Sequence, residues 1–220
     1  MTKIRRKHIM IIRIIINKKE GADMANCTKQ CLLLEKNEED VFVKMIIQML
    51  GPVLLGEKPS EIISFPNEEG VGLHRIKSIF DHCHKISYRE FIAFNGCRKI
   101  LFYNDNLLNE TLRDQRNLNF LKKIGYRAEY NVQDYLDHLI GKIEKEHLPH
   151  EIGIFLGYPL KDVIGFMGHP ALKLTKINGW NVYGDSRLSD EQYAKFNRAK
   201  QQIQRMLEEN SPETIVQRAS

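Results

Sequence analysis

The stretch KILFYNDNLLNETLRDQRNLNF, residues 99–120, decides how the rest of the chain is read. Its first five residues are apolar and bounded by turn-formers, the mark of a buried strand. A helical pattern follows over 106–123, then GYRAEY, residues 125–130, as a second strand, then a helix over 132–146 with Tyr135, Leu136, Leu139, Ile140 and Ile143 on one face. Strand, helix, strand, helix is the order of an α/β layer with parallel pairing. The expected fold is therefore a single α/β or α+β domain, with a mixed sheet of about four or five strands surrounded by about six helices.

Outward from that core, Val41, Met45, Ile46, Met49 and Leu50 recur at helical spacing over 38–50, and Gly51-Pro52 stops the helix. Residues 51–70 read as a loop containing one strand, EIISF. A helix is expected over 72–84. Ser87 and Glu90 stand in capping-box spacing and Asn95-Gly96 is a C-terminal stop, which predicts a short helix over 88–95. Further on, LKLTKINGWNVYG, residues 172–184, reads as a strand or hairpin around Asn178-Gly179. Ser189 and Gln192 cap a helix over 190–209, and 211–220 read as a frayed tail.

Composition narrows the class. A length of 220 residues with 42% hydrophobic content suffices for one packed domain. The net charge of +5 points to nucleic acid only until it is divided along the chain: residues 1–20 carry +6, which leaves −1 for the remainder. The body thus lacks the basic footprint of nucleic-acid binding. The basic apolar segment 1–23 has an apolar run broken by Arg13, too short to span a bilayer and without a small-residue cleavage site. It reads as an extension preceding a natural start at Met24, or as an amphipathic anchor or edge strand, with the globular domain at 24–210. Four cysteines (Cys27, Cys31, Cys83, Cys97) without a regular framework suggest a reducing, cytoplasmic compartment.

Several motifs come close to a known chemistry and miss. GPVLLGEKPS, residues 51–60, nearly spells a phosphate-binding loop, but Glu57 and Pro59 interrupt it and it follows a helix, not a strand. Cys27 and Cys31 begin an iron–sulfur spacing in which Leu34 stands at the third cysteine's place. The group DHCH offers His82, Cys83 and His84 as metal donors, though the two histidines share a face only on a strand. The plain alternative is a polar helix end. His147 and His150 are further metal candidates, but Ile154 stands where a zinc-peptidase pattern needs its second histidine.

What remains is HEIGIFLGYPLKDVIGF, residues 150–166. His150 and Glu151, after Pro149, form an adjacent acid–base pair in a loop, and histidine titrates nearest to neutral pH. In the structural reading of the same pair, His150 bonds a neighbouring backbone and Glu151 starts a helix. Tyr158-Pro159 forces a turn before a helix over 160–167. Bare backbone at Gly153 and Gly157 suits either close packing or a ligand. Tyr158, Trp180 and Tyr183 supply flat walls with polar tips, and Lys58 and Asp162 supply polar contacts.

The blocks PHEIGIFLGYPLKDVIGFM (149–167) and GWNVYGD (179–185), with AKF at 194–196, resemble the signature of a bacterial family designated domain of unknown function 3793. GPVLLGEKPSEII and KILFYNDNLLNETL resemble its lysine-containing loop and its strand-then-helix segment. The resemblance covers roughly residues 26–205. It implies a small cytoplasmic protein of anaerobic bacteria and no established activity or cofactor. In that pattern a cysteine or small polar residue often precedes the first-loop proline, whereas this chain reads Leu50-Gly51-Pro52, which removes a thiol-hydrolase reading.

Two functions are thus expected. One is a small-molecule-binding or enzymatic domain whose site lies where the 51–59 loop meets the 149–159 loop, with Lys58 holding an anion and His150 moving a proton. The other is a non-catalytic interaction or regulatory protein in which the same passage is a folding nucleus or docking surface. Metal binding is a third.

Overall fold

The computed structural model describes residues 36–65, 71–146 and 148–219. The expectations for residues 1–23, for Cys27 and Cys31 and for His147 lie outside these residues. In chain order the elements are α1 (Lys36–Met49), α2 (Gly51–Leu54), β1 (Ser60–Phe65), α3 (Val71–Phe80), β2 (Ile86–Ile92), β3 (Arg98–Asn104), α4 (Asp105–Arg113), α5 (Gln115–Lys123), α6 (Val132–Lys145), α7 (Ile152–Phe155), α8 (Leu160–Phe166), β4 (Leu174–Asn178), β5 (Trp180–Tyr183), α9 (Arg187–Glu209) and α10 (Pro212–Ala219).

KILFY is the middle strand. β3 lies between β1 and β2, antiparallel to both, with Ile62 opposite Leu101 and Tyr88 opposite Phe102. Successive side chains of a strand point to opposite faces. Ile100 and Phe102 accordingly enter one apolar cluster with Ile63, Phe65 and Ile86, under α1, α2, α3, α9 and α10. Leu101 enters the other with Tyr103, Ile62 and Phe91, under α4, α5, α6, α7 and α8. The sheet is covered on both sides.

That arrangement corrects the expected sheet. The described strands form one sheet of three and one of two, every pairing antiparallel. A continuous apolar run signals burial on both faces, which parallel sheets usually show, but helices packed on both sides of an antiparallel sheet produce the same run. The helical layers are also richer than the expected six: ten helices stand among the described residues.

Four local expectations change with it. Residues 88–95 are not a helix, because ISYREFI pairs with β3 and Ser87 gives its hydroxyl to Asp105 Oδ2 at 2.6 Å instead of capping. GYRAEY is not a strand: Gly125 turns the chain at φ +102°, and Tyr126 drops into the second cluster. The single helix expected over 106–123 breaks at Asp114, whose carboxylate accepts from the N–H groups of Arg116 and Asn117 and so caps α5. The tail is not frayed. Ile215 and Val216 of α10 are 0% and 1% exposed in the first cluster, and Glu213 accepts from Arg75 at 2.9 Å.

Residues 51–54, expected as loop, form the short helix α2, and most other elements follow their sequence signals. Asn104 and Asn131 cap α4 and α6 through their side-chain carbonyls. Gly51-Pro52 ends α1 and immediately opens α2, where proline's missing N–H costs nothing. A methyl on Gly51 would sit 3.0 Å from Ile203 of α9, so this glycine permits the close approach of α2 and α9.

Two outcomes test the docking of α10. Truncation after Asn210 is expected to lower unfolding free energy by on the order of 3 to 5 kcal/mol in chemical denaturation, since two fully buried aliphatic side chains are lost. Acid should loosen the same contact. Burial, the largest single influence, would raise the Glu213 carboxyl, but the Arg75 bond and charge, its own backbone N–H and the Ser211 hydroxyl together hold it below its usual range, and Asp40, bonded by Lys44 and Arg75, is lowered as well. Groups with depressed values contribute fully above their unfolded-state range and lose that contribution as pH falls from there through the lower folded-state value. A melting temperature that holds steady from pH 7 to pH 3 would contradict this.

Candidate functional site

The passage 149–166 is a corner built of two short helices. α7 is wholly buried, and Gly157 then turns the chain at φ +74°. A methyl there would meet Pro59 Cδ at 2.5 Å, so the 51–59 loop lies directly against the 157–159 turn. Ser60 Oγ adds a buried bond to the Phe155 carbonyl at 2.7 Å. Pro159 starts α8, and Asp162 occupies its first turn.

Asp162, 2% exposed, organises the corner. Its Oδ2 accepts from Trp180 Nε1 at 2.8 Å and from Ser189 Oγ at 2.7 Å. Its Oδ1 accepts from the Tyr183 backbone N–H at 2.8 Å and from Lys161 Nζ at 2.6 Å. Lys161 also donates to the Tyr183 carbonyl and to Ser189 Oγ. One carboxylate thereby joins α8, the β4–β5 hairpin and α9. Gly165 supports the same junction, since a methyl on it would collide with the Tyr183 ring.

Trp180, held by Asp162, stacks on Tyr158 with centroids 4.5 Å apart and planes 15° apart, and lies near Tyr193 and Phe196 of α9. Beneath these rings is Lys58, 4% exposed. Its ammonium donates to Glu61 Oε2 at 2.8 Å and stands 5.4 Å from the Tyr158 centroid and 5.2 Å from that of Phe196. Burial pushes the Tyr158 hydroxyl well above its ordinary range, and the charge of Glu61 adds to this. Lys200 of α9 faces the same group: burial lowers its basicity, Glu61 opposes that effect and Lys58 reinforces it.

The His150–Glu151 pair is divided. Glu151 is 3% exposed and turned inward, accepting from Lys142 of α6 and, at 3.4 Å, from the Tyr126 hydroxyl. Burial, followed by the Glu151 charge, drives that hydroxyl's ionisation upward. His150 is exposed, its ring edge-on to Phe166 at 4.9 Å. Adjacent in sequence, the two side chains meet different surroundings.

The structure therefore brings together Lys58, Tyr158, Asp162, Trp180 and Tyr183 and sets His150 and Glu151 apart. Sequence reasoning missed Glu61, Lys161, Ser189, Phe196 and Lys200. Ser189 carried a signal but was read as a helix cap; α9 instead begins at Arg187, and the serine hydroxyl is spent on Asp162. Glu61, in an apolar strand three residues after Lys58, was the legible sign of an ion pair.

His82 and His84 are exposed on the turn after α3, with His82 Nδ1 3.2 Å from the Ser78 carbonyl, and Cys83 packs against the first cluster. Among the described residues no group of three or more His, Cys, Asp or Glu is placed to hold a metal ion. Two surface hollows, of about 490 and 380 Å³, are lined by Arg127–Asp134 residues and by residues of α1 and 207–212. Neither includes the corner residues. No described helix is long and apolar enough to cross a membrane.

These features define a helix-covered antiparallel α+β protein in which the buried charges around Asp162 pair with one another. Over residues 46–216 the chain matches the family described as protein of unknown function (DUF3793), and it belongs to that family. No curated protein and no solved structure matches it.

Removing the Asp162 carboxylate should strand several buried donors together with the Lys161 ammonium. Asp162→Ala is expected to cost about 3 to 5 kcal/mol of stability, as for breaking one side of a buried ion pair, and to shift Trp180 fluorescence. Ser189→Ala, which deletes one donor of four, should cost on the order of 1 kcal/mol. Equal losses from the two variants would contradict the central role given to the carboxylate.

Proposed function

We propose that this chain is a non-catalytic interaction or regulatory protein, and that the 149–166 passage is a folding corner instead of an active site. The observation that carries the reading is where the charges go. Lys58 is spent on Glu61, Glu151 on Lys142, and Asp162 on four donors, so these buried charges are each answered by a partner within the protein. A catalytic acid or base must reach a proton on a substrate held within hydrogen-bond distance. Glu151 is buried behind Tyr126 and Lys142, and His150 stands in solvent without it.

A second reading rests on one specific feature. Lys58 bonds Glu61 beneath the faces of Tyr158 and Phe196, and the partly buried Lys200 lies near enough to feel both charges. A small anion bound there would balance the second charge, which is the small-molecule site expected from the sequence.

Native mass spectrometry of anaerobically purified full-length protein, with elemental analysis, separates the two. The interaction reading expects the polypeptide mass alone in each subunit, before and after Lys200→Met. A stoichiometric extra mass that Lys200→Met removes would overturn it in favour of an anion site.

A further inference from the structure

We infer that the lobe formed by residues 166–177 seats on an anionic lipid surface. The inference rests on the interaction reading above and names its partner. FMGHPALKLTKI runs from the end of α8 through most of β4, and every residue in it is exposed except the half-buried Leu172. Four of these side chains are large and apolar: Phe166, Met167, Leu174 and Ile177, the last 68% exposed. They are not scattered. Leu174 stands opposite Tyr183 in the hairpin, the Tyr183 ring lies against Gly165, and Phe166 and Met167 follow that glycine.

Charge selects the occupant. Residues 163–184 contain Lys173 and Lys176 and no Asp or Glu, a local +2 within a body whose net charge is −1. Lys176 is paired with Asp190 at 2.7 Å, but both side chains are exposed, and an ion pair in water is weak enough to leave Lys176 free to serve an anionic surface. At such a surface aliphatic and aromatic side chains enter between the headgroups while neighbouring ammonium groups stay level with the phosphates. A second stretch of the same chain repeats this chemistry. KIRRKHIMIIRIIINKK, residues 3–19, intersperses seven Lys or Arg among Ile and Met and holds no acid. One weak contact gives reversible attachment, and two together hold a protein at a membrane. A second copy of the chain would set these cations against themselves, whereas anionic lipid answers both stretches.

The lobe is also held in shape. His169 N–H donates to the Ile164 carbonyl at 3.3 Å, Leu172 N–H to the His169 carbonyl at 3.0 Å, and Gly184 N–H to the Lys173 carbonyl at 2.9 Å. Asp162 and Lys161 fix the Tyr183 backbone beside it. Side chains displayed on a fixed backbone lose less conformational freedom on docking.

Co-sedimentation of the full chain with mixed phosphatidylglycerol–phosphatidylcholine vesicles, against vesicles of phosphatidylcholine alone, tests the assignment. Binding to the anionic vesicles is expected, weakening as salt is raised, with little binding to the neutral ones. Leu174→Glu and Ile177→Glu should each lower the partition coefficient by on the order of 10-fold. Val41→Glu, at an exposed apolar position on α1, should leave it nearly unchanged. Leu174→Ser provides the same test if a glutamate disturbs the corner that Trp180 fluorescence reports. No binding to anionic vesicles, equal binding to neutral ones, or an equal loss from Val41→Glu would each overturn the inference. So would binding that both lobe variants leave intact while Arg5→Glu with Arg6→Glu abolishes it, which would assign the membrane to the basic segment alone. A dimer in sedimentation velocity without vesicle binding would overturn it in favour of a second copy. None of these results is the extra subunit mass that would overturn the interaction reading itself.

Discussion

The packing of β3 on both of its faces is the constraint from which the rest of this fold follows. Ile100, Leu101, Phe102 and Tyr103 are all buried, alternately against two clusters. A three-stranded antiparallel sheet has too little area to bury itself, so helices must cover each side. The chain supplies them in two passes. Residues before β2 and after β5 close one face with α1, α2, α3, α9 and α10, and the segment between β3 and β4 closes the other with α4 to α8. The ends of the described chain thus lie on one layer, which explains why α10, far from fraying, completes the first cluster through Ile215 and Val216.

Closing two layers leaves a seam, and the Asp162 corner lies along it. Phe155 and Val163 belong to the second cluster, Ile203 of α9 to the first, and Trp180, Val182 and Phe196 form a small third cluster between. A seam of this kind cannot be sealed by apolar contact alone where loop backbone is present, because each buried N–H and C=O needs a partner. Asp162, Lys161 and Ser60 provide those partners, Ser189 braces the first two, and Lys58 with Glu61 places a compensated ion pair beneath the rings. A buried charged network that is fully satisfied rigidifies its surroundings and leaves little chemistry free. The β4–β5 hairpin is anchored there by Trp180 and Tyr183, and leaves β4 exposed along almost its whole length.

What the sequence by itself determined was set by short-range physics. KILFY, EIISF, the amphipathic run at 132–146 and the Asn-Gly hairpin each contain their own reason for forming, in apolar periodicity, side-chain caps or a residue that tolerates positive φ, and each forms. The gathering of Lys58, Tyr158, Asp162, Trp180 and Tyr183 into one corner was legible for a similar reason, because polar and aromatic groups in apolar, glycine-bearing segments mark close packing. Tertiary structure decided what range made invisible. Pairing direction depended on which strands could reach β3; ISYREFI became a strand because an edge was open beside it, overriding a capping pattern worth on the order of 1 kcal/mol. His150 and Glu151 went separate ways because Lys142 and Tyr126, distant neighbours in the chain, offered the carboxylate a buried partner. Strong local signals fix which elements form, whereas weaker ones, as at 88–95 and 125–130, and the partners of buried charges and strand edges are decided by segments many residues away.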